Sequence, residues 1–189
     1  MKISEVFGLN RSQAELDFVD VDVNRDFPLF LDPHFLAQRT DPWSIRASQT
    51  IRSFFSYFIG LLSQGEEEEA RALFDHLHEP NETCLGLSRG RPRGNGVGDE
   101  DAQKIFNSLL QSEAVKTGIL ADLEDCRVFV HGIDKDKTSD MTTNIIRGPL
   151  LSYTQQQCAL WGCLLCLNHP ADFAGTQERE LGRIFTLKI

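Results

Sequence analysis

Apolar residues between Trp43 and Ser63 recur at the spacing of one helix face, with Ile51, Phe54, Phe55, Phe58, Ile59 and Leu62 on a single stripe. Asp41-Pro42 ahead of them has the form of an N-cap followed by proline at the first helical position. Gln64-Gly65 stops the run. The acidic series Glu66 to Glu69 then opens a second helix, with negative charge at the positive end of its dipole. The pattern predicts a central helical hairpin over residues 43–78. A further helix is expected over Asp99–Gln111, with Ala102, Ile105, Phe106, Leu109 and Leu110 on one side, and a shorter piece over Ile119–Leu123.

Period-two patterning predicts strands elsewhere. Val19, Val21 and Val23 alternate with Asp20 and Asp22, which reads as a half-buried strand near 15–23. After the turn residues Asn24-Arg25-Asp26, the segment 27–31 reads as a second strand closed by Asp32-Pro33, with Pro28 confining it to a sheet edge. A third apolar run, near 127–131, precedes a loop and a helix expected to begin at Ser139-Asp140. Gly148-Pro149 should divide that helix in two. The expected fold is α+β: one mostly helical domain over residues 1–161 with a small sheet. Residues 162–189 lack sustained periodicity and are expected to form an appendage or a truncated, rewritten tail.

Composition narrows the class without changing this outline. With 189 residues, 41% hydrophobic and 25% charged, the chain can build a real core and is not of disordered type. A net charge of −9 disfavours indiscriminate binding to nucleic acid or membranes, so a nucleic-acid contact needs a local basic patch. The longest apolar run, Phe54 to Leu62, is about half of a membrane span, and the opening residues have no signal-peptide core. Five cysteines without framework spacing fit a reducing compartment, so the expected location is cytoplasmic.

Candidate chemistry concentrates in two loops. Asp134, Asp136 and Asp140 lie between the apolar run and the helix, where a short loop of carboxylates suits a hard divalent cation such as Mg2+ or Mn2+. Asp20, Asp22 or Asp32 could complete such a site, and His131 beside it could act as a general base. The bland alternative has Ser139 or Asp140 capping the helix and Asp134 and Asp136 solvated in a turn. A calcium loop is excluded because Ser139 stands at the glycine position and Ile145 at that of the bidentate glutamate. The letters DKDKT also imitate the nucleophile motif of haloacid-dehalogenase-like phosphatases, but about fifty residues follow, too few for that fold.

The second loop carries Arg89, Arg91 and Arg93 with Gly94, Gly96 and Gly98, and leads into the helix at Asp99. Glycines let backbone amides approach an anion, and guanidinium forks suit phosphate. The alternative is a positively charged surface loop. Asp99, Glu100 and Asp101 in the first helical turn weaken anion binding there. Cys158, Cys163, Cys166 and His169 resemble a zinc set, but the apolar spacers Ala-Leu-Trp-Gly and Leu-Leu favour buried thiols. No deaminase, serine-hydrolase or Walker signature is present.

The segments DFPLFLDP (26–33), EPNETCLGLSRGRPRGNGVG (79–98), SEAVKTGILADLED (112–125) and GIDKDKTSDMTTNII (132–146) resemble a family of uncharacterised prokaryotic proteins over roughly residues 1–160. That resemblance implies mobile or defence-type gene neighbourhoods and no established activity. Two functions follow as expectations. One is a phosphate-contacting protein acting on nucleic acid or nucleotides, in which the arginine loop holds phosphate and the aspartates hold the cation. The other is a non-catalytic subunit of a prokaryotic multi-protein system, binding a protein partner through its hairpin or basic loop. Neither involves a membrane.

Overall fold

The computed structural model describes residues 1–25, 28–77, 99–118, 123, 125 and 132–163, with the side chains of 99–101 left aside. These residues fall into two compact units. The first comprises residues 1–25, 28–29 and 148–163; the second comprises residues 30–77, 99–118, 123, 125 and 132–147.

The second unit is organised around the predicted hairpin. Helix α2 spans Pro33–Gln38, α3 Pro42–Gln64 and α4 Glu67–Phe74. Helix α5 (Asp99–Gln111), α6 (Glu113–Lys116) and α7 (Lys135–Ile145) complete its described helices. Asp41 caps α3 as its sequence suggests: its carboxylate accepts from the Ser44 amide at 3.0 Å and from the Ser44 hydroxyl at 2.7 Å. Gly65, at φ 78°, ends α3 in the left-handed region that only glycine enters at little cost.

Helix α3 packs against α2, α4, α6 and α7. Trp43, Ala47, Ile51, Phe55, Phe58 and Leu61 form its buried stripe, while Phe54, Ile59 and Leu62 sit at its half-buried margins. Phe58 lies at the centre of an aromatic cluster, with ring centroids 6.2 Å from Phe55, 5.5 Å from Phe74 and 6.3 Å from Phe106. These offset and edge-on arrangements favour the ring quadrupoles beyond simple burial. Arg71 covers the Phe106 ring at 4.5 Å, closing the cluster on its outer side.

The expected α+β architecture is corrected: among the described residues the protein is helical and has no sheet. The 15–23 region is a 3-10 turn at Gln13–Glu15 followed by irregular chain, joined to the N-terminal segment by one isolated bridge between Lys2 and Asp22. The buried positions are Leu16, Phe18, Asp20 and Val23, so of the three valines expected inward Val23 is buried while Val19 and Val21 are only half-buried. Asp20 reverses the expectation because it caps helix α1 (Ile3–Val6), accepting from the Ser4 amide and the Ser4 hydroxyl, each at 2.8 Å. A carboxylate with two such donors tolerates burial to 8% exposure.

Residues 28–31 are likewise not a strand, and Asp32-Pro33 starts a helix instead of closing a strand. The Asp32 carboxylate accepts from the His34 amide at 2.9 Å, and Pro33 takes the first helical position of α2. The third expected strand, 127–131, lies outside the described residues.

In the first unit, helix α8 (Arg147–Trp161, of which Arg147 belongs to the second unit) carries the Gly148-Pro149 pair within its first turn. The break between helices thus falls at Ile146, close to where proline placed it. The Tyr153 hydroxyl donates to the Asp17 carbonyl at 2.7 Å, tying α8 to the irregular N-terminal chain. Gly162, at φ 66°, ends α8 with the Cys163 amide bonded back to the Cys158 carbonyl at 2.9 Å. No helix among the described residues is long and apolar enough to cross a membrane.

Candidate functional site

The segment 132–146 is the densest in polar side chains, and the structure uses nearly all of them locally. Asp134 is the N-cap of α7: its carboxylate accepts from the Lys137 amide at 3.0 Å. Its carbonyl accepts from the Thr138 hydroxyl at 2.7 Å. The cap therefore lies five residues before Ser139, and the helix starts a full turn earlier than the sequence suggested. Asp136 is exposed in the first turn, where the helix dipole favours a carboxylate. The Lys137 ammonium donates to the Gly132 carbonyl at 3.0 Å, and Gly132 adopts φ 92° to make that approach.

The buried side of α7 is lined by hydroxyls. Thr138, Ser139, Thr142 and Thr143 are all buried beside Met141. Thr142 and Thr143 donate to the carbonyls one turn back, at 2.6 Å to Thr138 and 2.8 Å to Ser139. Such bonds let threonine enter a core without an unsatisfied donor. The Ser139 oxygen also accepts from the Leu31 amide at 2.9 Å, and the Lys135 ammonium lies 4.5 Å from the Phe30 ring centroid. Segment 30–31 is thus pinned to α7 by a hydrogen bond and a cation–π contact. No sequence motif signals this pairing, because its two partners are 108 residues apart.

The cation reading needs carboxylates free to converge. Helical spacing puts Asp136 and Asp140 on one side of α7, four residues apart, while Asp134 caps its end. Asp140 is half-buried and already engaged. The other carboxylates that could be recruited are also occupied. Asp20 caps α1 and Asp32 caps α2. Asp22 pairs with the α-amino group at 2.8 Å, which holds its carboxyl below the usual range. Among the described residues no group of three or more His, Cys, Asp or Glu side chains is placed to hold a metal ion. His131 and the phosphate candidates Arg89, Arg91, Arg93, Gly94, Gly96 and Gly98 lie outside the described residues.

Cys158 is buried, and its thiol is pushed up to about 12 by burial first and by Cys163 second. Burial also raises the Cys163 thiol. Protonated thiols are poor nucleophiles and poor metal ligands, in keeping with a packing role for these two. Cys166 and His169 lie outside the described residues.

The hairpin, one of two partner surfaces the sequence offers, has an outward side on α3. It presents Gln49, Arg52, Ser53, Ser56 and Tyr57 to solvent, with Arg46 one turn before them. Helix α3 contains no acidic residue, and neither Arg46 nor Arg52 is engaged in an ion pair among the described residues. Tyr57 is 58% exposed, unusual for an aromatic side chain in the middle of a long helix. Immediately past Gly65, the exposed Glu66 to Glu69 reverse the charge.

A family model described as Domain of unknown function (DUF8370) matches residues 8–173, and the chain belongs to that family. No curated protein and no solved structure matches it.

Proposed function

We propose that the protein is a non-catalytic interaction subunit, with structural aspartates and a partner surface on the outward side of its helical hairpin. The carrying observation is the bond from the Lys137 amide to the Asp134 carboxylate, which assigns the leading metal candidate to a helix cap. The hydroxyls of the same segment serve the core. The segment's polar density is thereby accounted for without a reaction. The resemblance of its motifs to prokaryotic families of mobile or defence-type neighbourhoods supports a place within a multi-protein assembly, and the Arg52–Tyr57 surface supplies a contact of the right character. Aromatic and arginine side chains are those enriched where proteins meet.

Thermal melting in the presence and absence of Mg2+ or Mn2+ tests this reading. The expected result is one melting temperature in all three conditions. A metal-dependent rise that disappears in Asp140→Ala would return the segment to cation binding and phosphodiester or nucleotide chemistry.

A further inference from the structure

The outward side of α3 carries charge of one sign, and the turn at its end carries the other. Arg46 and Arg52 lie on α3 with no acidic neighbour in the helix; Glu66 to Glu69 follow directly after Gly65. At a rise of 1.5 Å per residue, Arg52 and Glu66 are separated by about 20 Å along the hairpin, too far to satisfy each other. Between them the exposed and half-exposed positions on this side are Ser53, Ser56, Tyr57, Gly60, Ser63 and Gln64. A Cβ on Gly60 would meet only the amide of Gln64, at 3.8 Å; that amide donates to the Gly60 carbonyl at 3.0 Å, so a close neighbour needs only this flexible side chain to swing aside.

A surface whose two ends carry opposite charges is complementary to itself when turned end for end. Place a two-fold axis across α3 midway between Tyr57 and Gly60. Tyr57 of one copy then faces Gly60 of the other, a ring over a position with no side chain. The same operation sets Arg52 opposite Gly65, next to Glu66. One register therefore brings both pairs level along the axis; Arg52, about 140° round the helix from Tyr57, meets its partner on the flank of the contact. We infer that α3 pairs antiparallel with α3 of a second copy of this chain, through Tyr57 over Gly60 at the centre and Arg52 against Glu66 at each end. Such an isologous contact repeats each interaction twice. An aromatic anchor among small polar side chains, with charges at the rim, suits a contact between proteins. One helix face is small for a stable dimer, so the pairing is of the weak, salt-sensitive kind.

This inference rests on the reading of the hairpin as a partner surface. It fails separately, because a strictly monomeric chain that ignores metals would sink the pairing and leave the structural role of Asp134 intact.

The test is light scattering on the full chain, over a range of protein concentrations and at low and high salt, with two charge reversals. Wild type is expected to show a monomer–dimer equilibrium that weakens with salt. Arg52→Glu alone sets glutamate against Glu66, and Glu66→Arg alone sets arginine against Arg52, so each variant should be monomeric. Mixed together, they restore opposite charges at both ends, and a mixed dimer should form. Tyr57→Ser, at an exposed position that leaves the core untouched, should also lose the dimer while keeping its circular dichroism. A wild type that stays monomeric throughout, a dimer indifferent to all three substitutions, or a mixture that fails to associate overturns the inference.

Discussion

The Ser139 hydroxyl accepts a hydrogen bond from the backbone amide of Leu31 at 2.9 Å, with Ser139 only 2% exposed. This bond joins the chain just before α2 to the buried side of α7, and it turns a polar residue of the supposed reactive loop into part of the core. Ser139→Ala leaves the Leu31 amide buried without an acceptor. The expected loss is about 1–3 kcal/mol in chemical denaturation. A variant as stable as wild type would show that water replaces the serine and that the tie is dispensable.

Asp134→Ala should cost ~1 kcal/mol by removing the N-cap of α7. Asp134→Ser and Asp134→Asn, which keep a capping oxygen, should recover most of it. Urea denaturation of the four proteins makes the comparison. If serine and asparagine behave like alanine, charge and not capping is what position 134 supplies.

Phe58→Ala opens a cavity where four phenylalanine rings meet, at a side chain with no exposed surface. The expected cost is about 3–5 kcal/mol, against well under 1 kcal/mol for alanine at an exposed position such as Gln49 on the same helix. Melting curves that do not separate the two positions would mean that the aromatic cluster is not the core of the second unit.

Alkaline stability should report the buried thiol. The folded protein holds Cys158 protonated up to about 12, against an ordinary value of 9.0, so folded molecules bind the proton more tightly than unfolded ones between those values. This contribution is complete below about pH 9 and is lost as pH rises toward 12. Tyr153 acts in the same direction, since burial raises its phenol as well. Melting temperature should therefore fall less steeply over that range in Cys158→Ala than in wild type. Parallel slopes would place the thiol in contact with solvent.

Much of the second unit could be read from the chain because its signals are local. Asp41-Pro42 and Gly65 delimit α3 where the apolar stripe said they would, and α5 spans the predicted Asp99–Gln111. The errors came where one local pattern has two meanings. Asp32-Pro33 carries the same cap-and-proline signal as Asp41-Pro42, but after the apolar run at 27–31 it reads as the close of a strand. Alternation across residues 18–23 gives a period without a phase: hydrogen bonds from Ser4 hold Asp20 inward, and of the valines only Val23 is buried. In DKDKTSD several residues can cap a helix, and the choice of Asp134 over Ser139 depends on Ser139 being occupied by Leu31, a contact no neighbouring residue announces. The sequence offers the hairpin as a partner surface without marking which residues of α3 carry it, because that side has no motif, only an absence of acids and one exposed ring.

On the proposed reading Asp134 caps α7, and Asp134, Asp136 and Asp140 do not gather around a cation. Paramagnetic broadening of backbone amide signals during a Mn2+ titration tests it most directly, because the ion reports its own position. Weak, scattered broadening is expected over exposed carboxylates, Glu66 to Glu69 included, with no preference for residues 134–140. Saturable broadening centred on the amides of 134–140 at stoichiometric Mn2+ would contradict it and restore the metal site.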